Sequence, residues 1–182
     1  AQNCSFSGDH ETALVNFRQA VAIRPGDASF QFNLAASCKF TGDLDAAETF
    51  ATRALDEVES QELGWSHRGP VLQNLATIYR KQGLGDRAED TYIQVLEARE
   101  QHLGASHPET GRTVASLAEL YIKQGKDKQA EAFAKRAIDI FERRLPQGHP
   151  DTTRALQQYA GFLRSTGRTD EAHEVERRIQ AE

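Results

Sequence analysis

The chain has no methionine, not even an initiator, so it is either processed or taken from something longer. No apolar run approaches the ~18 residues needed to span a bilayer. No charged-then-apolar segment opens the chain as an export signal would. These two absences exclude a helical membrane span within the sequence and point to a cytoplasmic location. An excess of basic residues is also missing. A net charge of −5 gives no general attraction to nucleic acid or to an anionic membrane. Strand-type alternation is scarce. No phosphate loop, nucleophile elbow, paired metal motif or dinucleotide fingerprint occurs. We therefore expect no enzyme, no cofactor and no resident metal, and a partner that is a protein rather than nucleic acid or membrane.

What the chain does have is periodicity. Glycines stand at Gly8, Gly42, Gly83, Gly125 and Gly167, in steps of 34, 41, 42 and 42 residues. Five residues after each comes an alanine: Ala13, Ala47, Ala88, Ala130 and Ala172. Seven before the last four come Ala35, Ala76, Ala118 and Ala160, each preceded by Leu34, Leu75, Leu117 or Tyr159. Repeats at this period mean a stacked solenoid, which presents surface and so binds rather than catalyses.

Each repeat reads as two helices with the glycine in the turn between them. In the fourth, Ser106-His107-Pro108-Glu109 has the form of a capping box with Ser106 as cap. Val114, Leu117, Ala118, Leu120 and Tyr121 follow at helical spacing. Gln124-Gly125 ends the helix, because glycine readily takes the left-handed stop conformation. Ala130, Phe133, Ala134, Ala137, Ile138 and Phe141 then form the stripe of a second helix. The same reading predicts helices near 9–23, 27–40, 43–61, 68–81, 86–102, 108–123, 127–144, 150–165 and 169–181, in one domain. The repeats fall at about 1–26, 27–66, 67–106, 107–148 and 149–182.

Cys4 and Cys38 each lie four residues before a repeat glycine. Equivalent sites in adjacent repeats sit about 10 Å apart, beyond the ~7 Å Cα limit of a disulfide. Both read as small buried side chains. His107 and His149 precede prolines 42 residues apart, with His67 in the loop before. Such a row has metal-ligating atoms. The plainer reading, which we adopt, is helix-start residues repeated because the unit is repeated.

The residues now carry a resemblance. Leu75-Ala76-x-x-Tyr79 with Gly83, Ala88 and Tyr92 resembles the tetratricopeptide repeat, as does Gly8 with Ala13, Phe17, Ala20 and Pro25. Essentially the whole chain takes part. The later, longer repeats look like the 42-residue variety of kinesin light chains. The resemblance implies an all-α fold, a right-handed α-α superhelix of about four and a half helix pairs, whose first helices line a concave, peptide-binding groove.

Helical geometry selects the groove positions at 13, 10, 9, 6, 3 and 2 residues before each glycine. They are Ser29, Phe32, Asn33, Ala36, Lys39 and Phe40; Pro70, Gln73, Asn74, Thr77, Arg80 and Lys81; Arg112, Ala115, Ser116, Glu119, Ile122 and Lys123; and Arg154, Gln157, Gln158, Gly161, Arg164 and Ser165. Seven are basic and one is acidic, against an acidic chain average. Helix dipoles account for cations at helix C-termini but not for Arg112 and Arg154 near helix starts. An acidic, extended peptide is the expected ligand, with an apolar anchor near Phe32 and Phe40. The resemblance implies that Asn33 and Asn74 grip ligand main chain. The carboxylate-binding arrangement of chaperone-linked arrays is matched only in part, since Phe32 and Ala36 stand where it wants Lys and Asn.

The alternatives are an architectural array that self-associates through its N-terminal end, and a sensor or docking arm of a larger regulatory protein. In the fifth repeat Glu176 replaces an apolar or small residue, and Arg177, Arg178, Gln180 and Glu182 follow. We expect this polar helix near a true terminus, and residue 1 at an interior cut.

Overall fold

Helix starts and stops are set by a few side chains. Asp27 caps α2 (Ala28–Thr41) by accepting from the Ser29 and Phe30 amides at 3.0 and 3.3 Å, and Asp43 caps α3 (Leu44–Ser60) through the Ala46 amide at 3.2 Å. The four turn glycines Gly42, Gly83, Gly125 and Gly167 have φ of 90°, 80°, 67° and 79°. Only glycine enters that region without strain, which makes it the residue that reverses the chain.

A computed structural model describes the backbone of residues 3–181 and the side chains of residues 12–180. Before α2 lies α1 (Asn3–Ile23). After α3 come α4 (Trp65–Gln82), α5 (Gly85–Leu103), α6 (Pro108–Gln124), α7 (Asp127–Arg144), α8 (Pro150–Ser165) and α9 (Thr169–Ala181). The described residues contain these nine helices and no strand. Turns of two to five residues join them, so consecutive helices run antiparallel. Contacts gather into two compact units, residues 1–91 and 92–182, with the division inside α5. In the first, α1 packs on α2, α2 on α3 and α3 on α4, and α2 also meets α4. In the second, α6, α7, α8 and α9 pack in succession and α6 also meets α8.

The core is built from the repeated small residues. Ala35, Ala76, Ala118 and Ala160 are at most 4% exposed, and Ala47, Ala88, Ala130 and Ala172 are completely buried. Larger side chains fill the gaps: Tyr92 and Phe141 are the largest fully buried ones. Cys38 is buried and free; the side chain of Cys4 lies outside the described residues.

Three boundaries differ from the sequence reading. Helix α1 runs through Gly8 instead of turning there. Continuing the helix costs only the ~1 kcal/mol of an internal glycine. Helix α4 starts at Trp65, with Pro70 in its second turn. The Trp65 ring lies across Gly69, where an added Cβ would approach it to 2.6 Å, and this contact extends the helix N-terminally. The cap of α6 is His107, not Ser106: His107 Nδ1 accepts from the Glu109 amide at 3.1 Å. The Glu109 carboxylate meanwhile pairs with Arg99 and Arg112. His149 Nδ1 caps α8 through the Asp151 amide at the same distance.

Candidate functional site

The first helix of each pair carries the residues singled out by sequence, and the two units present them differently. In residues 1–91 the face is formed by α2 and α4. Phe32 is half-buried and packs on Ala54, Val58 and Val71. With Asn33, Pro70, His67 and their neighbours it lines a cavity of about 240 Å³ at the N-terminal ends of the two helices. Phe40, at the other end of α2, is 57% exposed, so the two aromatics flank the face rather than meet.

Between them lies a polar cluster. Lys39 is half-buried and its Nζ donates to Asn74 Oδ1. Burial lowers the Lys39 pKa, and the nearby charges of Lys81 and then Arg80 lower it further. Neither Lys39 nor Lys81 has a carboxylate partner among the described residues. Asn74 is only 5% exposed. Its Oδ1 is occupied by Lys39, while its Nδ2 is buried without a hydrogen-bond partner. Asn33 is half-buried; its main-chain carbonyl accepts from Ser37 Oγ at 2.9 Å. Gln73 and Thr77 are also half-buried, and Thr77 Oγ1 donates back to the Gln73 carbonyl.

In residues 92–182 the corresponding face belongs to α6 and α8, and acids answer its arginines. Arg112 donates Nε to Asp151 at 2.8 Å and Nη1 to Glu109. The hydrogen bond it donates to Asp151 is the chief cause of its raised pKa. Arg154 also approaches Asp151, at 4.0 Å, with its side chain 70% exposed. Arg164 pairs with Glu176, the residue that departs from the repeat pattern. Ser116 Oγ donates to the Arg112 carbonyl. Glu119 and Gln158 are half-buried, whereas Lys123 and Gln157 are exposed. Lys123 makes no ion pair among the described residues.

The structure thus brings Lys39, Asn74, Arg80 and Lys81 together, and sets Arg112, Arg154 and Arg164 on carboxylates of their own unit. One organising residue was missed by sequence reasoning. Arg99, nearly buried, donates to the Glu109 carbonyl at 2.7 Å and to Thr113 Oγ1 at 2.6 Å, and pairs with the Glu109 carboxylate. It pins the first turn of α6. No motif marks it, because its partners are a main-chain carbonyl and side chains on another helix. Among the described residues no cluster of His, Cys, Asp and Glu could hold a metal, and no helix is long and apolar enough to cross a membrane.

Two family models described as tetratricopeptide repeat match residues 28–53 and 70–143, together just over half of the chain. No curated protein matches the sequence. Solved structures do match in fold. A putative kinesin light chain with nearly identical TPR-like repeats from Podosopora anserina is 21% identical, over 99% of this chain and 90% of that one, with a TM-score of 0.77. A Rap protein complexed with competence and sporulation factor is 19% identical over 98% of this chain and 50% of its own, with a TM-score of 0.79. YrrB, a TPR protein with an unusual peptide-binding site, is 20% identical over 91% and 73%, at 0.60. These likenesses show an all-α superhelical repeat fold, and the 42-residue spacing fits the kinesin-light-chain-like neighbours.

Proposed function

The chain belongs to the tetratricopeptide repeat family, and from that premise we propose that it is a protein–protein interaction module that holds an extended, acidic segment of a partner on the α2–α4 face. One observation carries this reading: Lys39 is half-buried close to the charge of Lys81, and neither has a carboxylate partner among the described residues. A desolvated cation kept near a second one is costly unless something else supplies the counter-charge. An anionic ligand would supply it. The cavity at Phe32 and Pro70 offers an apolar anchor site on the same face. Lys39 lies seven residues beyond Phe32 on α2, about 10 Å along the axis. An extended chain covers that span in about three residues. The bound factor of the Rap structure and the peptide-binding site of YrrB support a peptide as the occupant.

The test is fluorescence anisotropy with a labelled peptide of alternating glutamate and leucine, at low and high salt. Binding should weaken with salt, since the screening length is only about 8 Å at physiological ionic strength. It should weaken at least tenfold or so in Lys81→Glu, by the strength of a lost charge-assisted contact. Lys81 is exposed, so this substitution should leave the fold intact. Affinity that ignores both salt and charge reversal sinks the reading.

One observation favours a second reading, self-association through α1. No described side chain of α1 is buried, and Val15 and Ile23 are 53% and 79% exposed. Sedimentation that changes with concentration in the parent, and not in Ile23→Ser, would move this reading ahead.

A further inference from the structure

The α2–α4 face has a more specific shape than a general preference for acids requires. Asn74 Nδ2 is buried with no hydrogen-bond partner, although its own oxygen is engaged by Lys39. A buried amide donor left unpaired is an energetic penalty that folded proteins rarely tolerate. Lys39 Nζ is therefore held beside an unused donor. Lys81 lies two helical turns beyond Asn74 on α4, and helical side chains lean toward the N-terminus of their helix, which carries its amine back toward Asn74. Lys39 Nζ sits on an amide whose own donor is unsatisfied, Lys81 is near enough to act on its charge, and neither lysine has a carboxylate partner among the described residues.

A glutamate side chain brings one negative charge and two oxygens. A phosphate monoester brings a charge of about −1.5 to −2 and three acceptor oxygens at neutral pH. The second set matches two ammonium groups and one amide donor in both charge and number. We propose that this cluster reads a phosphorylated serine or threonine of the partner segment, with the phosphate between Lys39, Asn74 and Lys81. The proposal rests on the peptide-binding reading above and gives it a switch: the partner would dock once a kinase has modified it. The positive charge of Arg80, also close to Lys39, strengthens the same field.

The probe is an oriented degenerate nonapeptide library carrying a fixed central serine, glutamate or phosphoserine, measured against the full chain by anisotropy. The phosphoserine library should bind about tenfold or more tighter than the glutamate library, the equivalent of one charge-assisted hydrogen bond. That advantage should fade as pH falls through about 6, where the phosphate takes up its second proton. Lys81→Gln should remove the advantage while leaving the circular dichroism melt unchanged. Inorganic phosphate alone should shift the Asn74 side-chain amide resonances in an NMR titration, whereas acetate should not. Equal binding of the glutamate and phosphoserine libraries overturns the phosphate inference and leaves the acidic-peptide reading standing. Phosphate that shifts Asn74 without any preference for phosphopeptide overturns a peptide source for the anion. Failure of all three libraries to bind overturns both readings together.

Discussion

Two helical glycines of the second unit should respond to the same substitution in opposite directions. Gly111 lies in the second turn of α6 and is buried. A Cβ added there would come within 2.7 Å of Phe141 Cε1 and 3.0 Å of Ile140 Cγ2. Carbon atoms settle at about 3.5–4.0 Å, so Phe141 would have to move by most of an ångström and Ile140 by about half of one. They are adjacent residues of α7 and at most 4% exposed, so any shift presses on other core side chains. Overpacking of this kind costs about 1–3 kcal/mol. Alanine would return about 1 kcal/mol of helix propensity. The sum for Gly111→Ala is a net loss of about 1 kcal/mol. Gly161, in the middle of α8, meets nothing within 4 Å of an added Cβ. Gly161→Ala therefore keeps the propensity gain and should stabilise by about 0.5–1 kcal/mol. Urea unfolding and calorimetry of both variants would read this as shifts of roughly 2–4 °C per kcal/mol, of opposite sign. A Gly111→Ala protein more stable than the parent would show that α6 and α7 do not cross at this point, and the packing account would fall.

Replacing His107 or His149 by alanine removes a helix cap and should cost about 1 kcal/mol each by denaturant melts. Asparagine at either position should recover most of that loss; no recovery would mean the imidazoles do not cap. Arg112→Glu would set a new carboxylate against Glu109 and Asp151 and should lower stability by about 1 kcal/mol, whereas Arg154→Glu, largely exposed, should change it by under about 0.5 kcal/mol. Equal effects would refute the pairing of Arg112. Glu131 accepts two hydrogen bonds from Arg168, at 2.7 and 3.0 Å, and others from Lys135 and Tyr159, which hold its pKa down from 4.5 to about 2, Arg168 most of all. Because the folded value lies below the unfolded one, this stabilisation is complete above about pH 5 and disappears as pH falls toward 2. Glu131→Gln should therefore flatten the loss of stability between those values, by about 1 kcal/mol given solvent screening. An unchanged acid limb would rule the network out.

The repeat register was legible in the sequence because it rests on sterics that only certain residues satisfy. Ala118 and Ala160 are buried at equivalent places in their helices, and Gly125 and Gly167 stand where the backbone turns left-handed. Such constraints recur with the unit, so periodicity exposes them. What periodicity could not expose is pairing between different repeats. Arg112 looked like a cation opposed by its helix dipole, but its counter-charge, Asp151, stands 39 residues on. The α4 start was hidden for a similar reason, since the Trp65–Gly69 contact has no counterpart in the other repeats. At Ser106-His107 the capping-box pattern fitted the residue types, while the competing demand of Arg99 and Arg112 for Glu109 left the cap to the imidazole. The candidate site was half legible. The face could be named from helical geometry, but which of its cations lack a partner depends on where distant acids fall.

The His107 and His149 junctions have an evolutionary consequence. Each is followed by proline, an acid and a threonine, and the threonines Thr110 and Thr152 are both buried. Each leads through a helix to a glycine in the same backbone state, Gly125 or Gly167. A gene that gained or lost the coding stretch from one histidine to the next would rejoin like with like. The new seam would keep its imidazole cap and its left-handed turn. Unequal crossing-over within this gene would lengthen or shorten the protein by whole 42-residue cassettes that begin and end on the same backbone junction.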